Sequence, residues 1–216
     1  MTGTRTAGTA AALTATLALA AAAWVFTVRQ MQGMDMGVAT ELGSLRFFLA
    51  VWVSMTAAMM LPGALPALIR RADGPVLGVP LFAVSYLAVW TVVGLAIYAV
   101  YQPHDTAVAG ALTVAAGFYE LTPLKRTCRR RCRQNVRSGS RFGLYCVGSS
   151  IGLMLVLLAA GAMSVTWMCL IAVLVVAQKL LPPRALLDVP LALALVGLGI
   201  AIAAAPSSIP GITPAM

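Results

Sequence analysis

The sequence predicts an all-α integral membrane protein, a polytopic bundle of transmembrane helices built as a single domain over residues 1–216. Hydrophobic residues make up 61% of the chain and charged residues 10%, whereas soluble domains average roughly 45–50% and about 25%. The mean hydropathy is +0.93. A soluble fold has too little interior to bury so much apolar surface, which excludes a water-soluble enzyme and a disordered chain. We therefore expect lipid to be the main solvent of this chain.

Seven stretches are apolar and long enough for membrane-spanning helices, which need about 20 mostly apolar residues each. The fifth and sixth stretches are separated by a few residues only, so we expect them to form an antiparallel helical hairpin. The other connections are also short and leave no room for a separate soluble domain. The predicted spans are Thr9–Val28, Leu45–Ile69, Val76–Tyr101, Ala107–Leu124, Phe142–Gly161, Val165–Leu181 and Leu187–Ala205.

The distribution of positive charge orients the predicted bundle. With the N-terminus in the cytoplasm, 13 of the 15 Lys and Arg residues fall on inner segments, and only Arg29 and Arg46 fall outside. Cytoplasmic loops carry an excess of Lys and Arg, so we expect an N-in, C-out protein in the bacterial cytoplasmic membrane. The net charge of +9 is then a topology signal, and we expect no nucleic-acid partner.

The first span has an alternative interpretation as a cleaved signal peptide, because an Ala-rich apolar stretch follows a single Arg. Its apolar run from Ala7 to Val28 is longer than the usual signal-peptide core of roughly 7–15 residues. This length favours a retained span. Cleavage would leave six spans with the same orientation.

Methionines are concentrated in two regions that suggest a soft-metal site. The second span carries Met55, Met59 and Met60 near its midpoint, just before Pro62 and Pro66, each of which removes a backbone hydrogen-bond donor. Thioether sulfur is a soft ligand suited to Cu(I). The alternative is that these methionines only fill space in the core. A second group, predicted to capture metal in the outer loop, consists of Met31, Met34, Asp35 and Met36.

Polar and thiol side chains are concentrated where the fourth span meets the predicted inner loop. Glu120 is a carboxylate within a span, which is costly in lipid unless it is functional or paired with a cation such as Lys125. Cys128 and Cys132 share one face if their segment is helical, and Cys146 begins the next span from the same side. We expect the surrounding arginines to favour the thiolate form that binds metal. The alternative is that all three are ordinary reduced cysteines.

Four stretches of the sequence resemble the bacterial predicted metal-binding integral membrane proteins (domain of unknown function 2182). They are Trp52–Pro62, Ala115–Arg133, Gly143–Met154 and Gly161–Pro182. The resemblance implies an all-helical membrane fold with a metal site and gives more weight to the candidate ligands. Members often have two further cysteines where this chain has Ser149 and Ser150, and an acidic residue where it has Gln178. The candidate metal ligands are Met55, Met59, Met60, Glu120, Cys128, Cys132 and Cys146.

These observations lead to three hypotheses. The first is a protein that binds or handles a soft metal ion in the lipid bilayer, Cu(I) or another transition metal, and either transports it or passes it to a protein partner. The second is an assembly or stabilising subunit of a membrane complex, suggested by small-residue surfaces that include Gly197 and Gly199. The third is a membrane thiol redox protein in which Cys146 pairs with Cys128 or with Cys132. No nucleotide-binding loop, nucleophile elbow or zinc-protease motif occurs, so we expect no enzymatic activity.

Overall fold

A computed structural model of the protein describes residues 2–31, 42–72, 77–102, 104–134, 136, 138–160, 164–181 and 185–209. These residues form α-helices and one short 3₁₀ turn, Pro206–Ser208, and no strand, so the predicted all-α class is confirmed. The helices are α1 (Thr2–Met31), α2 (Leu45–Ala72), α3 (Gly78–Val100), α4 (Thr106–Glu120), α5 (Pro123–Arg133), α6 (Gly139–Ala159), α7 (Val165–Leu180) and α8 (Ala185–Ala204).

The helices follow the predicted spans in order but differ from them in length. α1, α2, α3 and α6 are long and apolar enough to cross a bilayer. α4 and α5 together also qualify, although they meet at an angle of 63°. α7 and α8 are shorter apolar helices. The chain is therefore a multi-pass membrane protein with four or five helices of spanning length, while the seven-span, N-in, C-out arrangement stays a prediction.

The bend between α4 and α5 is a local consequence of the sequence. α4 ends at Glu120, whereas the prediction carried the fourth span to Leu124. The Thr122 hydroxyl accepts a hydrogen bond from the Lys125 amide at 3.3 Å, and Pro123 occupies the first turn of α5. A Thr cap followed by Pro is a typical helix start, because Pro needs no amide partner there. α5 begins as a new helix instead of prolonging α4.

The core is centred on α2, which packs between α1, α3 and α7. Trp52 of α2 lies against α3, where its indole nitrogen donates to the Trp90 carbonyl at 2.8 Å. A side chain at Gly94 would have its Cβ 2.4 Å from the Trp52 ring, so glycine is needed for this approach. The bond satisfies a polar atom that the apolar interior would otherwise leave unpaired. This contact fixes the rotation of α2 relative to α3.

Two glycines bring the backbones of α4 and α8 together. A Cβ at Gly110 would lie 2.6 Å from the Gly199 carbonyl oxygen, and a Cβ at Gly199 would lie 2.6 Å from the Gly110 oxygen. Small residues allow such close approach between membrane helices. Gly197, two residues earlier on α8, faces open space. Of the two glycines that suggested an assembly surface, Gly199 therefore packs inside the bundle and Gly197 stays on the surface.

This packing predicts opposite results for two alanine substitutions on one helix. We expect Gly199→Ala to lower the free energy of unfolding by about 1–3 kcal/mol, because its methyl group meets a backbone oxygen. Gly197→Ala is the matched control and should be neutral, or stabilising by up to about 1 kcal/mol, since Ala favours helix and nothing obstructs it. Unfolding in detergent, followed by circular dichroism, measures both. Equal effects would contradict the close α4–α8 approach.

Candidate functional site

Two sulfur atoms and one ammonium group meet where α2, α6 and α7 come together. The Lys179 Nζ donates to the Cys146 Sγ at 2.9 Å and to the Met60 Sδ at 3.4 Å. The Tyr86 hydroxyl, from α3, lies 3.1 Å from the same Cys146 Sγ. Met60, Cys146 and Tyr86 are completely buried. We call these four residues the sulfur cluster; it places two of the predicted ligands, Met60 and Cys146, in one site.

The two cysteines of α5 both face α6. Cys132 lies beside Ser149 and within electrostatic range of Cys146. Cys128 lies against the backbone at Gly148, where a Cβ would come within 2.6 Å of its sulfur. The four-residue spacing therefore places both thiols on one helix face, as helical periodicity requires. Cys132 extends the sulfur cluster toward α5.

A cavity of about 150 Å³ adjoins the sulfur cluster. Cys132, Ser149 and Lys179 line one part of it, and Gly63 and Arg70 of α2 line another. Liquid water occupies roughly 30 Å³ per molecule, so the space suits a few waters or a partly hydrated ion. Thiol, hydroxyl and ammonium groups thus share one polar cavity at the α5 end of the bundle.

Burial has more influence than the nearby arginines on the pKa of the two α5 thiols. α5 has basic side chains at more than half of its positions, and nearly all of it follows the predicted fourth span, which ends at Leu124, in the predicted inner loop. Desolvation raises the pKa of the Cys132 thiol to about 12, with a further rise from Cys146 and a smaller opposing effect of Lys179. Desolvation also raises the pKa of Cys128. The prediction that arginines hold these thiols as thiolates is wrong, so a metal that binds Cys132 must displace a proton.

Glu120 belongs to a separate group of buried charges. One carboxylate oxygen pairs with the Lys125 ammonium, and the other accepts a hydrogen bond from the Gln178 amide at 2.7 Å. Lys125 also donates to the Gln178 side-chain oxygen at 3.0 Å. Both carboxylate oxygens are engaged in a fully buried site. The structure thus contains the ion pair that was the alternative to a ligand role, with both oxygens of Glu120 engaged in it.

Arg129 connects this group to one further helix, α8. Its guanidinium pairs with Asp188 of α8 and donates to the Gln178 backbone carbonyl at 2.8 Å from Nη2. Arg129 and Asp188 are almost completely buried. We call the whole set the ion network. Its members, which come from α4, α5, α7 and α8, are Glu120, Lys125, Arg129, Gln178 and Asp188.

The other predicted ligands lie apart from these two groups or outside the described residues. Met55 and Met59 are buried in the core around α2, and Met31 is buried at the end of α1, where it is no surface ligand. Met34, Asp35 and Met36 lie outside the described residues. Within the part of the chain that the structure describes, no three His, Cys, Asp or Glu side chains are grouped to hold a metal ion. A metal site there needs thioether sulfur as well.

Sequence reasoning missed two residues of the sulfur cluster. Lys179 was counted as a charge of the inner boundary, although it is the only charged side chain of α7 and its nitrogen reaches two sulfur atoms. A lone lysine at the end of an apolar helix was the available signal. Tyr86 gave no signal, since tyrosines are common in membrane helices as interface anchors.

Thiol and thioether sulfurs that meet inside a multi-pass helical bundle define a membrane protein with a candidate soft-metal site. A family model described as PpoB2, copper chaperone, matches residues 49–202. Because the match covers more than half of the chain, the protein belongs to this family and is a copper-related membrane protein. The matched region includes the sulfur cluster and the ion network. No curated protein and no solved structure matched the sequence.

The ion network predicts a large cost for removing one partner. We expect Arg129→Met to lower the free energy of unfolding by about 3–5 kcal/mol, because the buried Asp188 carboxylate would lose its counter-charge. Arg130→Met, a matched change at an exposed neighbour, should cost less than about 1 kcal/mol. Unfolding in detergent compares the two variants. A similar small loss in both would show that the Arg129 pair contributes nothing to the fold.

The raised pKa of Cys132 predicts a loss of stability in alkali. The folded-state pKa of about 12 exceeds the ordinary value of 9.0, so the folded state binds this proton more tightly than the unfolded state does. The linked stabilisation is complete below about pH 9 and is lost as the pH rises toward about 12. Wild type should therefore lose more stability than Cys132→Ser between about pH 8 and about pH 11. Parallel pH profiles of unfolding would contradict the shift.

Proposed function

We propose that this protein binds Cu(I) as cargo at the sulfur cluster and passes it to a partner protein, without catalysing a reaction. The observation that carries the proposal is that the Met60 and Cys146 sulfur atoms contact one and the same nitrogen, at 3.4 and 2.9 Å. Thiolate and thioether are the ligands that select Cu(I) over hard cations such as Mg²⁺. The copper chaperone description of the family supports the same cargo.

Cys132 is the third ligand in this proposal. It lines the cavity next to the sulfur cluster and lies within electrostatic range of Cys146. Its thiol is protonated at neutral pH, so binding of the ion releases a proton and the affinity falls as the pH falls. A ligand that competes with a proton holds copper less tightly than a preformed thiolate, which suits a protein that must hand its cargo on.

An unpaired hydroxyl on α2 also supports a ligand or water beside Met60. Buried threonines elsewhere in the chain donate to a carbonyl one turn earlier, as Thr27 and Thr113 do at 2.8 Å. Thr56, completely buried, makes no such bond in the described structure. It lies four residues before Met60, on the same helix face. A buried polar atom without a partner is rare and calls for an explanation such as a bound water or ion.

The remaining buried methionines fit a path for the ion along α2. Met31, Met55, Met59 and Met60 all belong to one continuous buried core. In the predicted topology the first of them lies at the outer end of the bundle and the sulfur cluster at the inner end. We propose that copper passes between these ends in the bacterial cytoplasmic membrane, with thioethers as transient ligands.

Copper loading of the purified chain tests the proposal. After anaerobic loading with Cu(I) in detergent and washing, we expect about one copper per chain in wild type, measured by mass spectrometry. Met60→Leu and Cys146→Ser should each lose most of it, because each removes a sulfur ligand. The matched controls are Met154→Leu, at another fully buried methionine, and Cys169→Ser, at an exposed cysteine. Both controls should retain copper.

Two outcomes would overturn the proposal. Wild type that keeps no copper after the wash would exclude a retained site. Copper that stays bound in Met60→Leu and Cys146→Ser but is lost in a control variant would place the site elsewhere in the chain.

A further inference from the structure

Lys179 is a cation placed between two soft ligands. Its ammonium has three donors and no acceptor, and in the described structure it donates to the sulfurs of Cys146 and Met60, which are weak acceptors. In the described part of the chain the ion pairs belong to Lys125 and Arg129, and none includes Lys179. A partly buried ammonium without a carboxylate is unfavourable in a membrane bundle. A purely structural role would not require this placement.

We propose that, in the copper-free protein, the Lys179 ammonium occupies the place between the two sulfurs that the cargo ion takes, and that copper loading displaces the ammonium. This inference rests on the proposed function and concerns how the same site is regulated. Cu(I) brings the same single positive charge that the departing ammonium takes away, and the proton released from Cys132 offsets further positive charge. The ammonium must leave both sulfurs before an ion can bind them. Lys179 thereby lowers the affinity for copper.

The surroundings of Lys179 provide a place for the displaced side chain. Because Gly63 of α2 has no side chain, there is room beside it for the Lys179 side chain. A Cβ at Gly63 would come within 2.4 Å of the Lys179 Cδ. Both residues line the cavity of about 150 Å³ beside the sulfur cluster. The ammonium can therefore leave the two sulfurs by a rotation of its own side chain into polar space. The helices need not move.

The placement also explains how a buried site releases its cargo. When the ion leaves, the ammonium returns to the sulfurs and takes over the contacts that the ion loses. Release then leaves neither sulfur without a hydrogen-bond donor in the buried interior, which would be costly. Lys179 is a positioning residue in this scheme, because it acts on the ligands and not on a reacting bond.

Cu(I) affinity of the full chain in detergent, measured by competition with a chromogenic Cu(I) chelator, tests the role of Lys179. We expect Lys179→Leu, which is neutral and adds no ligand atom, to bind Cu(I) at least tenfold more tightly than wild type. Lys179→Arg keeps the charge and should stay within about threefold of wild type. Arg70→Leu removes a charge from the rim of the same cavity without touching sulfur, and should stay within about twofold.

A second variant moves the lysine without removing it. Gly63→Ala should push the Lys179 side chain away from the sulfurs and raise the affinity as Lys179→Leu does. Unchanged or weaker binding in Lys179→Leu, with wild type still loaded, overturns this inference and leaves the proposed function in place. A tenfold gain in Arg70→Leu as well would also overturn it, because the effect would then be general charge. No copper in wild type or in any variant overturns the proposed function itself.

Discussion

The bundle depends on the burial of two basic side chains of α5, Lys125 and Arg129, each beside a carboxylate. An unpaired charge buried in a protein interior is so costly that a helix carrying two buried cations is held where their partners lie. The partners come from α4 and α8, and both cations also bond Gln178 of α7. α5 is thereby turned back against the bundle, and its thiols lie against α6. The cavity beside the sulfur cluster depends on that placement.

Two adjacent residues of α7 separate the structural charges from the candidate site. Gln178 faces Glu120 and Arg129, whereas Lys179 reaches the sulfur atoms. Successive side chains of a helix point about 100° apart, so these two neighbouring residues can contact the ion network and the sulfur cluster separately. The ion network fixes the end of α7 in space, and the long Lys179 chain starts from that fixed point. Rigid support of this kind is what a site needs when one flexible side chain has to exchange with a ligand.

The proposed site combines ligands that favour Cu(I) with two features that lower its affinity for the ion. Thiol and thioether sulfur favour Cu(I), but the Cys132 thiol keeps its proton because burial raises its pKa to about 12. The ammonium of Lys179 contacts the other two sulfurs. Each feature lowers the net affinity, because proton and ammonium must leave before the ion binds. For a chaperone this is useful, since cargo that is bound too tightly cannot be passed on.

The sequence by itself determined the all-α membrane class, the order of the helices and the shared face of Cys128 and Cys132, because composition and helical period are local properties. It also offered the ion pair of Glu120 as one of two readings. Only the tertiary structure decided that desolvation has more influence than the arginines on the pKa of Cys132. It also decided that Lys179 contacts Met60 and Cys146. These results depend on which faces of α2, α5, α6 and α7 meet, and burial is a sum over neighbours distant in sequence. Local sequence patterns therefore cannot predict how deeply such a side chain is buried.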